Sequence, residues 1–285
     1  MELSQRQPQL DAEITPLDLR FSSDELDAER ERITSFIQAQ VDRHDADGVV
    51  LGLSGGVDST AVAHLAVEAL GRSAVHGLIL PRDVNSDANM SDAERVAVDL
   101  GIRYDVVDID PIMDELLAID AGESASDEAG WENRFVGNTS ARVRMTVNYL
   151  IANKENKLVL GTGNRVELAL GYVTKYGDGG VDCNPIGNCY KQQVRQLAAD
   201  LGASEELVQK TPTGGMVDYE TDEEEIGVEY DTIDAIVALT VDGNVATAAA
   251  AEIADTTPEV VEHIQELHRD NEHKRTTPSM PTDAN

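Results

Sequence analysis

An alternation constrains this chain more than any other feature. Short apolar runs, "DGVVLGLS" (47–54), "AVHGLILP" (74–81), "RYDVVDID" (103–110) and "KLVLGTG" (157–163), are separated by segments of helical length and pattern. The helical candidates are "STAVAHLAVEALG" (59–71), "SDAERVAVDLG" (91–101), "PIMDELLA" (111–118) and "TSARVRMTVNYLIANK" (139–154), with "NRVELALGY" (164–172) after the fourth run. Strands joined through helices run parallel, so an α/β fold is expected, a doubly wound parallel sheet with helices on both faces. Ligands of such sheets sit at the carboxyl ends of the strands. "LSGGVDS" and "GTGNRVE" both fall at such ends.

The flanks are read as follows. Residues 1–21 form an N-terminal arm, and Ser22 with Glu25 has capping-box spacing ahead of a first helix. Residues 121–137 read as irregular, interrupted by Gly122, Gly130 and Gly137. "CYKQQVRQLAADLG" (189–202) is a further helix, and 211–227 is a long acidic loop. Two helices follow, the last of them running from Pro258 to about Arg275 with Val260, Ile264 and Leu267 as its apolar stripe. Without a repeat or a linker, residues 22–275 are expected to form one domain, with 276–285 as a tail.

Charge narrows the partners. The 285 residues hold 54 acids against 22 lysines and arginines, a net charge of −32. Such a field repels nucleic acid, so no nucleic-acid partner is expected and an anionic substrate needs a few local cations. The acids are spread along the chain, as suits a protein working in concentrated salt, where repulsion is screened within a few Å. Cys183 and Cys189 fit neither a redox pair nor a zinc site. No export signal and no membrane partner are expected, and a cytoplasmic location follows.

The loop "LGLSGGVDST" (51–60) carries the chemistry. A Ser-Gly-Gly turn before a helix presents backbone N–H groups to an anion, and its glycines allow close approach. No lysine lies between Leu51 and Gly71. A Walker A loop would require one to reach the β/γ-phosphates. An aspartate beside a triphosphate is reasonable only with a divalent cation between them, which makes Asp58 a candidate Mg²⁺ ligand. The plainer alternative is a glycine turn in which Asp58 or Ser59 merely caps the helix.

"SGGVDS" (54–59) resembles the pyrophosphate-binding loop of the ATP pyrophosphatase superfamily, whose adenine nucleotide alpha hydrolase-like fold is the doubly wound sheet expected above. "GNTSARVRM" (137–145), "GTGNRVELALGYVTKYGDGGVD" (161–182), "NPIGNCYKQQVRQLA" (184–198) and "EHKR" (272–275) are similar, in order, to ammonia-dependent NAD synthetase. The resemblance implies ATP-dependent amidation of deamido-NAD with ammonia through an adenylated intermediate, releasing AMP and pyrophosphate. It further implies a homodimer and Mg²⁺. By position, it places ATP on Gly52, Leu53, Ser54, Gly55, Gly56, Val57, Asp58, Ser59, Thr162, Lys191 and Thr213. The metal falls to Asp58 and Glu167, and deamido-NAD to Arg142, Lys175, Asp182, His273 and Lys274. Asp182 or Asp178 is the candidate to take a proton from ammonium. Without the resemblance, Glu167 would read as a first-turn carboxylate and Arg142 or Lys175 as partners of surface acids. The alternatives are another adenylating member of the superfamily, or a nucleotide-binding protein without turnover.

Overall fold

The structure, a computed structural model, describes residues 17–82, 87–120, 129–210 and 226–281. Among the described residues four strands form one sheet: β1 (Val49–Gly52), β2 (Val75–Ile79), β3 (Arg103–Val106) and β4 (Leu158–Leu160). Every pairing is parallel, and the order is β3-β2-β1-β4. The chain thus winds outward from β1 to β3 and then returns to add β4 on β1's other side. Between β1 and β4 the winding reverses, and open α/β sheets bind their ligands at the carboxyl ends beside such a point. A bridge from Leu160 to Cys183 prolongs the sheet past β4.

Side-chain alternation along the strands feeds two cores. Val49, Leu51 and Leu53 pack with Ile33 and Ile37 of α1 (Ser23–Arg43), Val62 and Leu65 of α2 (Val57–Leu70), and Val194 and Leu197 of α7 (Lys191–Asp200). On the opposite face, Val50, Leu78 and Val159 meet Met113 of α4 (Asp110–Leu117) and Val143 and Val147 of α5 (Ala129–Glu155). Burial on both faces explains why β1 reads as an unbroken apolar run. Further α-helices among the described residues are α3 (Asp87–Leu100), α6 (Arg165–Leu170), α8 (Glu205–Gln209), α9 (Tyr230–Ile236), α10 (Thr247–Ile253), α11 (Pro258–Asp270) and α12 (Glu272–Arg275). A third cluster unites Val166 and Leu170 with Tyr230, Ile233, Ile236, Val261 and Ile264.

Several expectations shift. The Ser22–Glu25 capping box is present, and α2 ends at Gly71 with φ of 78°. The segment read as irregular up to 137 is helical from Ala129. Gly130 and Gly137 cost only about 1 kcal/mol each relative to alanine, and Val136, Val143 and Val147 packing beneath the sheet offset this. The final helix breaks at Asn271, whose side chain donates to Leu267 O at 3.0 Å. Its buried stripe is Val261 and Ile264, with Val260 and Leu267 at the margin. Leu19 to Phe21, assigned to the arm, are pinned to α7: Gln193 donates to Leu19 O, and Gln196 exchanges two bonds with Phe21. Residues 1–16 and 211–225, and with them Thr213, lie outside the described residues. Among the described residues no helix is long and apolar enough to cross a membrane.

Candidate active site

The β1–α2 loop is built as an anion cradle. Gly55 takes φ of 76°, a conformation that disfavours any side chain. Ser54 and Ser59 close the turn through their hydroxyls at 3.2 Å, and Ser59 also donates to Gly56 O at 3.1 Å. With Gly56 as N-cap and no side-chain cap, the first N–H groups of α2 have no intrahelical acceptor. Asp58 stands in that first turn.

The second wall rises after β4. Gly161 is glycine for a steric reason, since a Cβ there would lie 2.0 Å from Asn184 Oδ1. Thr162 follows at the carboxyl end of the strand, half-buried. Asn164, fully buried, caps α6 by accepting from Glu167 N at 3.1 Å, and Glu167 Oε2 accepts from Asn164 N at 3.1 Å. The Asn164 amide also donates to Asp58 Oδ1 at 3.1 Å and so ties the two walls together.

The cation absent from the loop's own sequence arrives from α7. Lys191, 1% exposed, donates through Nζ to Asp58 Oδ2 and lies 3.8 Å from Glu167 Oε1. The ammonium stands 4.8 Å from the centroid of the Tyr230 ring. Its backbone N–H donates to Asp234 Oδ1 at 3.0 Å, and the next, from Gln192, donates to Oδ2 at 2.9 Å. Burial pushes the Asp234 carboxyl up to about 7. Two carboxylates therefore converge on one cation position at the switch point. Among the described residues no cluster of three or more His, Cys, Asp or Glu suits a metal. An oxygen-only pair of this kind fits an ion that takes its other ligands from phosphate and water.

A second cluster gathers the cations expected to hold the other substrate. Arg142 of α5 donates to Lys175 O at 3.3 Å, and Lys175 Nζ donates to His273 O and lies 5.4 Å from the Tyr176 ring centroid. Lys274 Nζ donates to Gly171 O at 2.7 Å. Asp178 accepts from Thr174 N at 2.8 Å in the same turn. Burial raises the pKa of Asp178, while hydrogen bonding to Thr174 and the charge of Lys274 act against that rise. Asp182 keeps different company, beside the middle of β4. Its Oδ2 accepts from Val159 N at 2.7 Å and its Oδ1 from the Tyr149 hydroxyl at 3.1 Å.

Three residues of the first cluster were not anticipated. Asn164 had a signal, because N-x-x-E before an apolar run is a capping-box spacing. Tyr230 and Asp234 had none, since nothing in α9 announces that it packs on the start of α7.

The NAD synthase family model matches residues 29–278. This chain belongs to the NAD synthase family. A curated relative from Halobacterium salinarum, an NH3-dependent NAD synthetase, is 53% identical over 268 residues, 94% of this chain and 98% of the relative. One of the same name from Hyperthermus butylicus is 44% identical over 253 residues, 88% of this chain and 89% of the relative. Among solved structures, the NMN synthetase from Francisella tularensis superposes with a TM-score of 0.79 at 31% identity, covering 92% of this chain and 99% of that one. The NH3-dependent NAD synthetase from Campylobacter jejuni, in complex with a nitrate ion, gives 0.73 at 30%, covering 90% and 99%. The doubly wound sheet is thus the family's fold, and the chain is a ligase of this family.

Proposed function

We propose that this chain is an ammonia-dependent NAD synthetase, joining ammonia to the nicotinate carboxylate of deamido-NAD at the expense of ATP, with AMP and pyrophosphate as products. The observation that carries the reading is the meeting of Asp58, Glu167 and Lys191 at the sheet's switch point, in a chain of the NAD synthase family. A carboxylate is a poor acyl donor because its leaving group would be oxide, and attachment of AMP removes that obstacle. The loop from Gly52 to Ser59 holds the leaving diphosphate on backbone N–H groups. Thr162 and Lys191 complete the ATP site, with Thr213 assigned by resemblance alone. Asp58 and Glu167 would hold Mg²⁺, which offsets charge on the departing pyrophosphate. Arg142, Lys175, His273 and Lys274 bind and orient deamido-NAD, as Asp182 does by family position. Asp178 is favoured over Asp182 to accept a proton from ammonium. Its carboxyl is buried within reach of the Lys274 charge and its pKa is raised, whereas Asp182 is tied to β4 through Val159 N and to the Tyr149 hydroxyl.

The exposed apolar side chains of Ile112 and Leu116 on α4, Ile119 just beyond it, and Phe135 and Leu150 on α5 support a homodimer that covers them. The reading also takes the protein to be cytoplasmic and salt-adapted. The test is ATP conversion to AMP and pyrophosphate, omitting deamido-NAD and ammonium in turn. Turnover that requires both is expected, whereas ADP as product or indifference to deamido-NAD refutes the reading. Because the Francisella tularensis neighbour is an NMN synthetase, nicotinate mononucleotide belongs in the same assay. A preference for it would replace the dinucleotide and leave the chemistry intact.

A further inference from the structure

We propose that Tyr230 and Asp234, one turn apart on α9, are positioning residues that fix Lys191 at both its backbone and its ammonium. The inference rests on Lys191 being the ATP-site cation of the function proposed above. Three observations carry it. Asp234 is fully buried, and each carboxylate oxygen takes one N–H, from Lys191 at 3.0 Å and from Gln192 at 2.9 Å. These are the first two N–H groups of α7, which have no acceptor inside their own helix. Tyr230 is 1% exposed and presents its ring face 4.8 Å from Lys191 Nζ. A lysine side chain has four rotatable bonds, and an interior lysine without such holds would lose its aim at the β1–α2 loop. A cation lying against a desolvated ring face is attracted to it without being neutralised, so the ring holds the ammonium without adding a third counter-charge to those of Asp58 and Glu167. Asp58 and Glu167 contact Nζ through their carboxylates, and α9 adds the Tyr230 ring.

The arrangement separates holding from chemistry. Neither Tyr230 nor Asp234 is assigned a contact with substrate, so both act only through Lys191, and their effects are conditional on that lysine. The experiment is a double-mutant cycle read by Mg·ATP affinity in titration calorimetry, with the thermal midpoint of each variant recorded alongside. Tyr230→Leu is expected to weaken ATP binding roughly 10- to 30-fold in the parent protein and by less than about 2-fold in a Lys191→Met background. Tyr230→Phe, which keeps the ring face, should recover most of the lost affinity. Asp234→Ala should follow Tyr230→Leu, with its loss also vanishing when Lys191 is Met. Equal losses in both backgrounds, or full affinity in Tyr230→Leu with only its melting temperature lowered, would overturn the proposal. Because the readout is ATP binding, it is independent of the amidation assay. A protein that binds ATP with this coupling but never converts deamido-NAD would sink the proposed function and leave the positioning role standing.

Discussion

Replacing Asp182 by alanine isolates an interaction whose cost can be worked from its surroundings. The lost carboxylate accepts from Val159 N at 2.7 Å and from the Tyr149 hydroxyl at 3.1 Å. Val159 is 1% exposed and sits in the sheet, so its N–H gains no water when the acceptor goes. An orphaned interior donor costs about 1–3 kcal/mol. Tyr149 is half-buried and can turn to solvent, so its share is small. The parallel backbone bonds on either side, Asp182 N to Val159 O at 3.0 Å and Gly161 N to Cys183 O at 2.9 Å, survive the change. The loss therefore centres on about 2 kcal/mol, a drop of roughly 4–8 °C in melting temperature for a chain of this size. Asp182→Asn retains an oxygen for Val159 N and an amide for the tyrosine oxygen, and should lose less than about 1 kcal/mol. Denaturation of all three proteins in molar KCl, followed by circular dichroism, makes the comparison. An alanine variant as stable as its parent refutes the reasoning. The asparagine variant also isolates chemistry from support: a stable protein that adenylates its substrate but fails to amidate it would return Asp182 to the ammonium step.

Three other outcomes are expected. The Asp234 carboxyl titrates near 7 in the folded chain and near 4 when unfolded, so it contributes stability below about pH 4 that is lost as pH rises toward 7. The difference in stability between the parent and Asp234→Asn should shift against the parent across that window, and parallel profiles would contradict it. With a net charge of −32, the thermal midpoint should be higher in molar KCl than in dilute buffer, the reverse order being inconsistent with screened repulsion. Gly161→Ala sets a Cβ 2.0 Å from Asn184 Oδ1 and 2.8 Å from Val181 Cγ2, and should cost about 1–3 kcal/mol with a weaker ATP site; unchanged stability and binding would mean that Asn184 can move aside freely.

What could be read from residues follows the range of the forces involved. The strands were legible because burial on both faces leaves an uninterrupted apolar run, and α2 because Gly56 and Gly71 bracket it. The start of α5 was not, because its glycines favour a loop locally and packing on the sheet decides the matter. In the site, Asp58 was legible from the missing lysine. That the lysine returns from α7, 133 residues along the chain, is a matter of tertiary geometry. Family resemblance supplied Lys191 and Glu167, yet nothing in sequence spacing placed α9 behind them. Ring and carboxylate contacts between helices leave no periodic trace.

The site draws its parts from two separately packed bodies of side chains. Asp58 belongs to the layer built on the sheet, whereas the grip on Lys191 belongs to the cluster around Val166, Ile233 and Val261. Sub-global opening of that second cluster would free the lysine while amides of the central strands stayed protected from exchange. Catalytic competence can then be lost, and regained, at a smaller free-energy cost than unfolding. Inactivation would precede any loss of the sheet's spectroscopic signal.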